Sequence, residues 1–160
     1  RALAASLPVV VQAPADLGAR SEALYGAWLA GWTLGTTGMG IHHKVCHVLG
    51  GAFDLPHSGV HSAVLPYATA YNSDAAPEAM ALIEQALVAA GRPATAAAAG
   101  LWDLTREIGA PTSLASVGFA ESAVDEVADL IVTATVANPR LPTGPDVRAL
   151  LRQAIAGERP

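Results

Sequence analysis

The period of the apolar residues most restricts the architecture open to this chain. Hydrophobic side chains recur at three- and four-residue intervals, and Gly and Pro fall between such stretches rather than within an alternating pattern. From Glu121 to Val136, the residues Val124, Val127, Leu130, Ile131 and Ala134 form one stripe, and Asn138-Pro139 stops it. A last helix starts at Pro145-Asp146, puts Val147, Leu150, Leu151 and Ile155 on one side, and runs to Gly157. Pro77 opens a helix over Glu78 to Ala90 that Gly91 closes, and an alanine-rich stretch after Pro93 and Thr95 runs to Ile108 and ends at Gly109. The run Val9-Val10-Val11 is too short to outweigh its helical surroundings. The sequence therefore predicts an all-α fold, a multi-helix bundle.

The first half of the chain carries similar punctuation. Arg1 to Leu7 is helical in character with no capping signal before it, which predicts further chain upstream. One helix is expected from Ala15 to Thr36 and a second from Met39 to Leu49, ended by Gly50-Gly51. A loop through Phe53 to Pro56 leads to a third helix near His57 that Pro66 must kink or break, and Tyr71 to Asp74 supplies a turn. The uncharged run Leu24 to Ile41 has the length of a membrane span, but five glycines and three threonines interrupt it. Such composition predicts instead a buried helix that neighbours approach closely at Gly31 and Gly35.

With 160 residues, the chain can bury a core without covalent staples, and no repeat or linker divides it, so residues 1–160 read as one domain. Cys46 is the sole cysteine, which excludes an intrachain disulfide and suits a cytoplasmic address. A net charge of -5, one lysine and scattered arginines exclude a basic stripe. That argues against nucleic acid or a membrane surface as partner and leaves a small molecule. The apolar content predicts a homodimer interface or a contact with another domain.

All five histidines, His42, His43, His47, His57 and His61, fall in a twenty-residue window with Lys44 and Cys46. At about 100° per residue, Ile41, Val45, Val48 and Leu49 make the core stripe of the second helix, and His43 and His47 lie nearly opposite it. Four residues apart, these two can reach one metal or one substrate. His42 and Cys46 form a neighbouring pair at the same spacing, with Lys44 on the other flank. A short loop can bring His57 back to face His43, with His61 one turn further along the same cleft. A lone histidine is more often a satisfied structural residue, whereas this grouping favours a site. It is not HExxH, because Lys44 holds the glutamate position, and it lacks the cysteines of a zinc finger. Cys46 reads as a small buried side chain, and Lys44 as a carboxylate anchor.

The run His43, His47, Leu49-Gly50-Gly51 and Pro56-His57 resembles the iron-containing alcohol dehydrogenase superfamily in its C-terminal helical domain. The run His42 to His47, Leu55-Pro56-His57, His61, and the flanking Leu24 to Leu29 and Val64 to Asn72 segments are similar to maleylacetate reductases within it. Ser58 stands where general alcohol dehydrogenases have glycine. The resemblance implies reduction of maleylacetate to 3-oxoadipate by NADH or NADPH during aromatic-compound breakdown. It implies His43 and His57 as two ligands of a divalent metal, iron or zinc, and His47 near nicotinamide and substrate as proton donor. His42, Lys44 and His61 would bind the substrate carboxylates. The resemblance also implies an N-terminal α/β nucleotide-binding domain, with the main cofactor site and remaining ligands, outside these residues. Gly35 to Gly40 lacks a preceding strand and makes no nucleotide loop, so the 160 residues alone are not expected to turn over. An alcohol or lactaldehyde dehydrogenase half and a stand-alone helical metal- or anion-binding module remain alternatives.

Overall fold

The computed structural model describes residues 1–93, 95–133 and 137–160. Among the described residues eight helices follow one another: α1 (Ala2–Gln12), α2 (Leu17–Thr36), α3 (Ile41–Phe53), α4 (His57–Asn72), α5 (Pro77–Val88), α6 (Ala97–Glu107), α7 (Val124–Val132) and α8 (Gly144–Ala156). Two 3₁₀ turns, Ala115–Val117 and Glu121–Ala123, lead into α7, and no strand occurs among the described residues. The all-α expectation holds. The predicted stretch from Ala134 to Val136 lies outside the described residues.

Local chemistry explains several of the boundaries. Thr143 and Asp146 form a reciprocal capping box at the start of α8, Pro145 occupies its first turn, and Gly157 closes it at φ 73°. Asp16 caps α2 by accepting the Ala19 N–H at 2.9 Å. Pro77 opens α5, as expected.

The main core is a layer of α3, α4, α7 and α8. Ile41, Val45 and Leu49 of α3 pack with Val60 and Val64 of α4, Val127 and Ile131 of α7, and Val147 and Leu151 of α8. Helix α4 is central, touching α3, α6 and α8, while α7 spans α3 and α8. Ala4, Leu87 and Leu104 form a smaller cluster joining α1, α5 and α6. On α8, Ala154 is buried with Val147, Leu150 and Leu151, whereas Ile155 is half-buried against the same core.

Three expectations need correction. Gly50-Gly51 does not end its helix: α3 continues to Phe53, and the reversal comes at Asp54, which is left-handed at φ 49°. Glycine in a helix costs about 1 kcal/mol but does not forbid the next turn. Pro56 disfavours helical backbone at Leu55, which adds a true stop. Of the kink or break expected at Pro66, the break does not occur, since α4 runs through it from His57 to Asn72. The missing Pro66 N–H costs one bond, whereas Pro66, Val64 and Tyr67 are buried together.

The third correction concerns α2, which is largely exposed. Among its residues only Gly26 is buried, where a β-carbon would come within 2.8 Å of Leu3 Cγ. Gly31 and Gly35 have nothing within 4 Å of that position. Neither glycine expected at a close approach makes one; Gly26, which the sequence reading did not single out, does. Elsewhere α2 presents Leu24, Tyr25, Trp28 and Trp32 to solvent, with successive aromatic ring centres 6.2 and 5.9 Å apart. No helix among the described residues is long and apolar enough to cross a membrane.

Candidate functional site

The core stripe of α3 and the buried face of α4 determine where the histidines go. With Val45 and Leu49 buried in one core with Val60 and Val64, the histidine-bearing faces of α3 and α4 come together, and the seam between them is the expected cleft. His61 stands at its centre. Its ring centre lies 4.4 Å from that of His57, 4.8 Å from His42 and 5.2 Å from His43. His43 in turn lies 5.2 Å from His42 and 6.1 Å from His47. All five imidazoles therefore gather in one cluster, as the spacing predicts. His47 and His57 are exposed at its mouth, His42, His43 and His61 are half-buried, and Cys46 is fully buried behind them. Lys44 is half-buried on α3, and among the described residues no hydrogen bond or ion pair joins it to the histidines.

Burial and mutual repulsion hold the inner rings neutral. Burial lowers the pKa of His61 to about 4, aided by the neighbouring His42, His57, His43 and His47. His42 is also lowered by burial, partly offset by its Nε2 lying 3.2 Å from the His61 carbonyl oxygen. His43 is lowered by burial and then by His47 and His57. The Cys46 thiol is pushed up to about 12 by burial, so in the absence of a metal it is a protonated, unreactive sulfur.

These shifts set an acid-side stability limit. The unfolded chain takes up protons at its histidines near their ordinary value of 6.5, whereas folded His61 resists until about 4. The unfolded state therefore binds more protons across that window. Stability is complete above the upper value and lost as pH falls through the lower one. With solvent screening at the open side of the cleft, the loss attributable to His61 is about 1–2 kcal/mol. In metal-stripped protein, melting temperature should fall more steeply between about pH 6.5 and 4 in wild type than in His61→Asn.

A residue far along the chain positions α3. Gly40 offers no side chain to cap the helix, and Asn138 takes over that task. Its Oδ1 accepts the Ile41 N–H at 3.1 Å, while its Nδ2 donates to Asn72 Oδ1 at 2.6 Å and to the Arg140 carbonyl at 2.7 Å. One amide thus ties the start of the histidine helix to the end of α4. Asn138→Ala should cost about 1–2 kcal/mol, measurable by urea unfolding, because it removes a cap and strands partly buried partners. The Asn-Pro pair reads from sequence as a helix stop, but its reach across 97 positions has no local signal.

A second feature goes beyond the predicted roles. One ligand atom each from His42, Cys46 and His61 lies within 4.8 Å of the others. The i,i+4 spacing of His42 and Cys46 is legible in sequence, but the arrival of His61 from α4 depends on packing.

Comparison with known proteins identifies the family. The family model described as "Fe-containing alcohol dehydrogenase family, C-terminal" matches residues 1–155. A maleylacetate reductase of Pseudomonas sp. (strain P51) is 48% identical over 159 residues, covering 99% of this chain and 44% of that protein. Maleylacetate reductase 1 of Rhodococcus opacus is 44% identical over 160 residues, covering 100% of this chain and 43% of that protein. Among solved structures, a putative alcohol dehydrogenase from Ralstonia eutropha JMP134 superposes with TM-score 0.93 at 50% identity, covering 99% of this chain and 44% of that one. The maleylacetate reductase from Rhizobium sp. strain MTP-10005 gives 0.91 at 43% identity, with 99% and 44% coverage. The chain spans less than half the length of these relatives. The helical layer, the histidine spacing and the match over residues 1–155 lead to one conclusion: this chain belongs to the iron-containing alcohol dehydrogenase family and corresponds to its C-terminal part.

Proposed function

We propose that this chain is the catalytic helical part of an NAD(P)H-dependent, cytoplasmic maleylacetate reductase. In this reading an α/β nucleotide-binding domain, carried elsewhere in the same protein, brings the dinucleotide to the mouth of the histidine cleft. The observation that supports it most is the convergence of five imidazoles from α3 and α4 into one partly exposed cluster. Relatives named maleylacetate reductase at 43–48% identity supply the substrate class.

The reaction adds hydride from the nicotinamide to the alkene carbon remote from the ketone. The displaced electron pair moves onto the conjugated carbonyl as an enolate, and a proton then reaches the carbon beside it, giving 3-oxoadipate and NAD(P)⁺. His47, exposed at the mouth, is placed to deliver that proton. His42, His61 and Lys44 bind the two carboxylates: the lysine as a charge, His61 as a hydrogen-bond donor, and His42 once the carboxylate's negative charge favours protonation of its free Nδ1. Electrostatic stabilisation at the enolate oxygen is the main demand on the site.

His43 and His57 suit a divalent iron or zinc ion, because burial and neighbours favour a neutral, ligating ring at His43 and both rings lie beside His61. Further ligands would come from the rest of the protein. When bound, such an ion would act as a Lewis acid towards a substrate oxygen.

The exposed aromatic face of α2 is the proposed seat of other protein, the nucleotide-binding domain or a second subunit of a homodimer. Steady-state assays on the longest form the gene encodes provide the test. The expected result is NADH or NADPH oxidation with maleylacetate at a kcat/KM more than about 10²-fold above that for oxidation of simple alcohols. Preference for an alcohol or lactaldehyde would replace this assignment with the alcohol dehydrogenase alternative.

A further inference from the structure

We propose that His42, Cys46 and His61 form a separate soft-metal site at the back of the cleft, taking a zinc-type divalent ion on two imidazole nitrogens and one thiolate. The three ligand atoms lie within 4.8 Å of one another, a separation that small side-chain movements can close around an ion. Two further observations point to a ligand there.

The first is an orphaned atom. His61 Nε2 is buried and has no hydrogen-bond partner among the described residues. A buried polar nitrogen without a partner costs free energy, and a bound ion would supply the missing interaction. The second is an outer-sphere bond already in place. With Nε2 of His42 donating to the His61 carbonyl at 3.2 Å, the ring is fixed in the tautomer that leaves Nδ1 with its lone pair. Metal-ligating histidines are usually oriented in this way.

The chemistry of the donor set chooses the ion. A thiolate with two imidazoles suits zinc, cobalt or cadmium and disfavours magnesium and calcium, which prefer oxygen. Three protein ligands leave a fourth tetrahedral position for water. On binding, the Cys46 S–H bond breaks, the proton leaves to solvent, and the sulfur lone pair forms the metal bond, with no change of oxidation state. The set excludes His43 and His57 but takes His42 and His61, so a bound ion would replace the contacts of those two rings with the substrate carboxylates, and the site is read without substrate.

Cobalt is the probe, since a thiolate bound to Co²⁺ gives a near-ultraviolet charge-transfer band that histidine and carboxylate ligands do not. Metal-stripped protein in the longest form its gene encodes is titrated with Co²⁺ under oxygen-free, reducing conditions. The expected result is a saturable band that is lost in Cys46→Ala and in His61→Asn and retained in His57→Asn. Circular dichroism checks that each variant remains helical. Should Cys46→Ala fail to fold, the half-exposed His61→Asn decides. The proposal is overturned if no such band develops, if it survives in His61→Asn, or if His57→Asn abolishes it.

Discussion

Replacing His47 with Asn should lower kcat for maleylacetate reduction by about 10²–10⁴-fold, the range expected when a positioned general acid is lost. The site makes the loss specific to the chemical step. His47 is exposed at the mouth of the cleft, 6.1 Å from the ring centre of His43 and one helical turn away. It has no structural hydrogen bond to lose among the described residues. KM should therefore change much less than kcat, the pattern of an interaction made in the transition state rather than on binding. Stopped-flow measurement with saturating NADH separates the chemical step from product release. A fall in kcat of less than about tenfold would remove His47 from the proton-donor role.

The second large effect is on the scaffold. Leu49→Ala should destabilise the fold by about 2–5 kcal/mol, because Leu49 is completely buried where α3 meets the rest of the core. For a chain of this length, that corresponds to roughly 5–20 °C in melting temperature. Leu82→Ala on α5, where the side chain is 66% exposed, should stay within about 0.5 kcal/mol of wild type. Leu49 lies two residues from His47 on the helix that positions four of the site's side chains. Its truncation should therefore also reduce kcat/KM at temperatures where the protein remains folded. Equal stability of the two variants would contradict the placement of α3 in the core.

Helical period made α3, α7 and α8 readable, since each buries one stripe, and Val45, Val127 and Leu151 are where that period puts them. The i,i+4 and loop-return argument likewise brought five histidines from two helices into one cleft. Legibility failed where the outcome depends on what a segment meets. Leu24 to Ile41 is rich in apolar residues and reads as buried, yet α2 packs mainly against α1 and leaves Trp28 and Trp32 exposed. Hydropathy reports a preference for burial but does not name the surface that provides it. Gly50-Gly51 did not stop α3, and Pro66 did not break α4, for a related reason: tertiary packing of Leu49, Val64 and Tyr67 outweighs a local penalty of glycine or of one missing hydrogen bond. The Asn138 cap and the His42, Cys46 and His61 grouping join residues that only the folded chain brings together.

The central claim is that imidazoles from α3 and α4 act as one receptor for a small dicarboxylate. Nitrogen-15 NMR of the histidine rings reads this directly, by titrating the protein in the longest form its gene encodes with 3-oxoadipate in the presence of oxidised cofactor. The account predicts that His42 and His47 on α3 and His61 on α4 shift together along a single saturation curve. Ring signals that stay fixed at saturating ligand, or that move on one helix alone, would contradict it.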